Sequence, residues 1–289
     1  MYQQITSNKR KTVLLVGLFF IITIALGWFI GVYMGYGYWI FVFAILYSIG
    51  SALISYFAGD KVALKTSGAK KIKKEDNPYV YRMVENLCIT AGMEEPDVHI
   101  IDSPALNAFA TGRNPENASI ALTTGLINKL EDEELEGVIA HELSHIQNYD
   151  TLIMTLTVVL VGTIALIADL FLRARLFGFG GDNKKGGVFA IIGFVLILVS
   201  PIVAQLIKLA ISRKREYLAD ASGVDLTRYP EGLASALEKI TNSDKQLDTA
   251  SSATAHLFIS NPFKNKFFSK LFSTHPPAEE RIKRLRDMA

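Results

Sequence analysis

Long apolar runs alternate with mixed polar blocks along this chain, and the alternation divides it into four parts. The runs occupy residues 13–32, 38–57, 152–168 and 188–207, each close to the ~20 residues that a helix needs to cross ~30 Å of hydrocarbon. The expected organisation is a transmembrane hairpin over 1–59, a polar block over 60–150, a second transmembrane hairpin over 151–211 and a second polar block over 212–289. In the first block the pattern predicts a helix over 77–92, short strands over 97–102 and 119–123, and a helix over 131–148. That last helix has an acidic start and carries Leu135, Val138, Ile139, Leu143 and Ile146 at helical spacing. The second block opens with a helix through 215–223 and closes with one through 278–287, joined by Ser/Thr/Asn-rich sequence that reads as loop. A mostly helical α+β domain assembled from both blocks, below four transmembrane helices, is the expected fold class.

Composition supports the membrane reading, since half of the 289 residues are hydrophobic and the mean hydropathy is +0.27. The first run follows Lys9, Arg10 and Lys11 but is too long for the apolar part of a signal peptide, so it reads as an anchor. Trp28, Tyr33, Tyr36, Tyr38 and Trp39 crowd the turn between the first two runs, as residues at a membrane interface do. Basic residues flank this pair at Lys9–Lys11 and at Lys61, Lys65, Lys70, Lys71, Lys73 and Lys74, which places both termini and both polar blocks in the cytoplasm. The loop after the third run fits less well, because Arg173, Arg175, Lys184 and Lys185 outnumber Asp182 there, and Pro201 should kink the fourth run. A net charge of +2 gives no nucleic-acid footprint, and the lone Cys88 excludes an intramolecular disulfide.

The most specific chemistry lies at His141-Glu142-Leu143-Ser144-His145, an HExxH pattern. Histidines at i and i+4 project from one helical face and can reach a single Zn²⁺, while the intervening Glu142 is placed to take a proton from water. A catalytic zinc needs a third protein ligand, for which His99, His256, His275 and Glu216 are candidates. Glu216 and Asp220 share a helical face and suit a ligand with a supporting carboxylate, although spacing alone fits a solvated charged face equally well. The acidic stretch 131–136 argues against burial of the motif in hydrocarbon. Unbroken helices from His145 to Leu152 and from Ile207 to Glu216 would hold the ion about 10–14 Å above the bilayer.

HELSH, followed after a hairpin by REYLAD at 215–220 and by STHPPAEERI at 273–282, closely resembles the HtpX-type membrane metalloproteases, relatives of the CAAX prenyl proteases. The resemblance spans nearly the whole chain and includes NAFATG at 107–112. It implies a zincin-like (gluzincin) cytoplasmic protease domain and one Zn²⁺ held by His141, His145 and Glu216, with Glu142 as general base and Asp220 supporting the metal. It further implies that His275 faces the developing oxyanion, that Arg281 helps to hold that part of the site, and that Asn107 and the strand 119–123 form a substrate-docking edge. The expected activity is endopeptidase cleavage of extended or misfolded polypeptide, including damaged membrane proteins, at the plasma membrane; no oligomeric state is implied. Competing readings are a transporter with a structural zinc site and a proteolytically silent scaffold. Against the first, the runs carry almost no carboxylates beyond Asp169; against the second, Glu142 is intact.

Overall fold

The computed structural model of the chain describes residues 2–34, 38–176, 213–245, 247, 254–260 and 276–288. Two long apolar helices, α1 (Tyr2–Met34) and α2 (Tyr38–Thr66), pack against each other and against α6 (Asp150–Leu176). Within α1 and α2 the windows Thr6–Trp28 and Phe41–Thr66 have mean hydropathies of 2.1 and 1.9, yet only 28% and 22% of each window is buried. Apolar surface left uncovered on that scale is surface for lipid. The aromatic residues Trp28, Tyr38 and Trp39 are exposed at the turn between them.

Two helices therefore have the length and hydropathy of a span among the described residues, where four were expected. The third run lies on α6, and its residues Leu152, Ile153, Leu156, Val158 and Leu160 are buried against protein. The apolar side chains of its described part, 152–163, pack on α1, α2 and a β-sheet. The fourth run, 188–207, lies outside the described residues.

The sheet has strand order β1-β2-β4-β3, from β1 (Ala69–Lys71), β2 (Asp97–Ile101), β3 (Ala108–Asn114) and β4 (Asn117–Thr123). β2 and β4 are parallel, whereas β1–β2 and β3–β4 are antiparallel. The strand expected over 119–123 is thus the interior β4, with both of its edges paired, and it cannot dock a substrate strand. β3 is the edge. The β3–β4 hairpin is tight at Gly112 (φ 137°), where a Cβ would lie 2.4 Å from the Asn117 carbonyl oxygen.

Helix α3 (Pro78–Ala91) begins at Asn77, whose side chain accepts from the Val80 N–H, and ends at left-handed Gly92. It packs with α4 (Thr124–Lys129), α5 (Asp132–Gln147) and one sheet face around Val84, Leu87, Ile120, Leu122, Leu126, Val138 and Leu143. The opposite face packs on α2 and α6 through Phe109, Ala121, Ile153 and Phe258, so the sheet separates the helical body from the membrane helices. From the second block come α7 (Arg213–Thr227), α8 (Pro230–Asn242) and α9 (Ala278–Arg286). Helix α8 occupies sequence expected to be loop. Its Pro230 sits at the first turn, where a missing N–H costs nothing, and Leu233, Ala234, Ala236, Leu237 and Ile240 bury one face.

Candidate metal centre

Helix α5 starts with a capping box in which Glu131 and Glu134 each accept from the other's backbone N–H, and Lys239 of α8 pairs with Glu134 at 2.7 Å. It stops at Asn148, because Tyr149 takes a left-handed φ of 60° before α6 begins at Asp150. The helix is therefore not continuous with the third apolar run, and the expected 10–14 Å rise along one rod does not apply on this side. Helix α7 crosses α5 at Gly223, where a Cβ would lie 3.2 Å from the His141 backbone nitrogen. This close approach brings the buried face of α7, namely Arg215, Glu216, Ala219, Asp220 and Gly223, onto the HExxH motif.

Among the described residues, ligand atoms of His141, His145 and Glu216 lie within 4.8 Å of one another, and all three residues are buried. The two histidine Nε2 atoms are 3.2 Å apart, with ring planes at 86°. Glu216 oxygens lie 3.9 Å from His141 Nε2 and 3.6 Å from His145 Nε2. Two nitrogens bound at ~2.0–2.1 Å to one tetrahedral ion stand about 3.3 Å apart, so the imidazole pair fits a metal with little adjustment. Each Nδ1–H is engaged on the far side of its ring. His141 donates to Asp220 Oδ1 and His145 to Asp150 Oδ2, both at 3.0 Å, which leaves both Nε2 atoms directed at the shared centre.

Electrostatics differ between the two rings. Burial, aided by the Arg281 guanidinium, pushes His141 down to about 4, so it is neutral and ready to ligate at physiological pH. Burial would also lower His145, but the Asp150 hydrogen bond and the Glu216 carboxylate override it and push His145 up to about 9. Without an ion, that imidazolium supplies positive charge at the centre of the donor set. Burial alone would raise Asp220, yet Arg281 holds it down at about 2.

Arg281 is 2% exposed and donates to Asp220 from Nε at 3.0 Å and from Nη2 at 2.7 Å, while Nη1 lies 3.6 Å from Glu216. Expected to help hold the part of the site around His275, it clamps Asp220 and lies beside Glu216. Glu142 is 1% exposed and near enough for its charge to raise both His145 and Arg281. The Asn107 side chain donates to the Ser260 carbonyl at 3.0 Å and accepts from the Ser260 and Ala108 N–H groups at 3.3 and 3.1 Å. His275 lies outside the described residues. His99 donates to the Asp97 carbonyl and His256 to the Met154 carbonyl, so neither joins the donor set.

Three members of this arrangement were missed by sequence reasoning: Asp150, Arg215 and Asn8. Asp150 Oδ1 accepts from Asn8 Nδ2 at 2.7 Å and faces Arg215 Nη1 at 3.4 Å. The available signal was a single carboxylate at the head of an apolar run, five residues after His145. Asn8 carries no local signal at all.

Residues 74–289 match the model of peptidase family M48. The chain is 47% identical over 292 residues to a protease HtpX homolog of Tropheryma whipplei (strain Twist), covering 100% of this chain and 98% of that protein. It is 45% identical over 294 residues to the protease HtpX homolog of Caldanaerobacter subterraneus subsp. tengcongensis, with the same coverage. A crystal structure of S. mikatae Ste24p aligns with 99% of this chain and 67% of its own, at a TM-score of 0.46 and 20% identity.

Proposed function

We propose that this chain, which belongs to peptidase family M48 and is a membrane-associated metalloprotease, is a zinc-dependent endopeptidase cutting locally extended polypeptide beside the cytoplasmic face of the membrane. The observation that carries the reading is the buried convergence of two Nε2 atoms and the Glu216 carboxylate, with Glu142 adjacent. The donor set suits zinc, since two imidazoles and one carboxylate form a three-ligand catalytic site with an open position. When bound, the ion would polarise water and the scissile carbonyl.

The remaining work falls to the chain. Glu142 accepts the proton of the attacking water and delivers it to the leaving amine nitrogen as the peptide C–N bond breaks, so its own protonation is restored at the end of each cycle. Asp220 and Asp150 hold the two imidazoles in the Nδ1–H tautomer, and Arg281 keeps Asp220 ionised for that task. His275 is assigned to the developing oxyanion, where one fixed donor contributes about 3 kcal/mol. Damaged membrane proteins are the proposed substrates, and the basic flanks of α1 and α2 support cytoplasmic termini in a four-span arrangement.

The decisive variant is Glu142→Gln. It should retain one metal per chain while hydrolysis of casein falls by about 10²–10⁴-fold. Near-wild-type turnover would remove Glu142 from the mechanism, and a wild-type chain inactive with metal yet unaffected by chelator would favour the silent scaffold.

A further inference from the structure

The first membrane helix reaches the metal centre. Asn8, on α1 and 2% exposed, donates from Nδ2 to two acceptors at the α5–α6 junction: the Asn148 carbonyl at 3.0 Å and Asp150 Oδ1 at 2.7 Å. Its Oδ1 accepts from Arg215 Nη1 at 3.4 Å, and Arg215 immediately precedes Glu216 on α7. The second oxygen of Asp150 accepts from His145 Nδ1 at 3.0 Å. Asp150, Arg215 and His145 are all buried, so none of these bonds competes with bulk water.

A carboxylate that orients a ligand imidazole must itself be held, because rotation about its χ angles would swing the accepting oxygen off the ring plane. Three features of Asn8 suit it to that task. Its amide donates to the Asp150 oxygen that does not face His145, which Arg215 Nη1 also approaches at 3.4 Å, pins the carbonyl at the helix break that positions Asp150, and accepts from the arginine beside Glu216. We infer that Asn8 is a positioning residue for the metal site, acting on His145 through Asp150, so that the first membrane helix contributes a side chain to the support of the metal centre. This rests on the reading of His141, His145 and Glu216 as metal ligands.

The test uses the full-length chain in nanodiscs and measures the Zn²⁺ dissociation constant by competition with a chromophoric chelator. Asn8→Leu keeps the side chain's size and suits a membrane helix, but removes the donor. It should weaken Zn²⁺ binding by about tenfold or more, within the ~10–100-fold range found when a partner of a metal ligand is lost. Leu15→Ala is the control for looser seating alone, since Leu15 packs α1 on α6 and carries no polar group that could join this network. It should lower thermal stability and leave the Zn²⁺ constant unchanged. In an Asp150→Asn background, Asn8→Leu should add less than about twofold, because the path it acts through is already broken. The visible bands of the Co²⁺-substituted protein should shift for Asn8→Leu and stay put for Leu15→Ala. Equal losses in Zn²⁺ affinity for the two single variants, or a full additive loss in the double variant, would overturn the inference. Wild-type protein that takes up no metal would sink the ligand assignment along with it, whereas wild-type uptake unaffected by Asn8→Leu would sink the inference alone.

Discussion

Replacing Arg281 with methionine would strip Asp220 of two hydrogen bonds, at 3.0 and 2.7 Å, and leave Asp220 and Glu216 as neighbouring carboxylates in a buried site. Methionine fills much of the same volume, so the change is chiefly one of charge. Removing one partner from a buried ion pair costs about 3–5 kcal/mol, because the survivor stays desolvated without compensation. For a domain in which each kcal/mol moves the midpoint by ~2–4 °C, the metal-free variant should melt roughly 6–20 °C below the wild type. Zinc bound at His141, His145 and Glu216 would restore positive charge beside Glu216, so the deficit should shrink when metal is saturating. The assay is a thermal-shift measurement on detergent-solubilised protein, with chelator and with excess Zn²⁺. Arg281→Lys keeps the charge without the two-pronged geometry and should fall between the two. A metal-free Arg281→Met chain melting within ~2 °C of the wild type would refute the reasoning, as would an equal deficit in both metal states.

Glu216→Ala should remove one of three donors and leave substoichiometric zinc at limiting metal by elemental analysis; full occupancy would place the third ligand elsewhere. Metal affinity should rise with pH, because His145 titrates at about 9 without metal and its proton must leave for Nε2 to ligate, whereas His141, pushed down to about 4, is already neutral. Below about pH 9 the apparent affinity should gain about tenfold per pH unit and then level off, and a flat profile between pH 6.5 and 8.5 would contradict this assignment. In a chain with Cys88 replaced, single cysteines near Lys71 and Met288 should resist an impermeant reagent applied from outside intact cells; labelling there would reverse the proposed orientation. A membrane-tethered substrate should be cut much faster when its cytoplasmic domain is destabilised, and equal rates for folded and destabilised forms would argue for recognition of something other than extended chain.

Local signals went a long way for the helices. The Asn77 and Gly92 caps bound α3, the apolar spacing within 131–148 places α5, and HExxH sets two imidazoles one turn apart wherever that helix sits. The length and hydropathy of α1 and α2 likewise need no tertiary information. For the third apolar run hydropathy reports only that a surface avoids water, and the first half of α6 avoids it by packing against protein. Strand order was equally illegible: nothing within 119–123 says whether β4 is paired on one edge or two.

The metal site shows the same division more sharply. Which residues carry metal-binding chemistry is written in HELSH and REYLAD; which of them are buried, and against what, is not. The buried face of α7 is made of Arg215, Glu216, Ala219, Asp220 and Gly223, so its periodicity is that of charge and looks like a solvated surface. Burying those groups is tolerable because partners arrive from far along the chain: Arg281 for Asp220, 61 residues away, and Asn8 for Arg215, 207 residues away. HELSH and REYLAD supplied the proposed donors and the helices that carry them. The tertiary structure decided their charge states, their tautomers and their supports, because each depends on desolvation and on opposite charges that only the folded chain brings within reach.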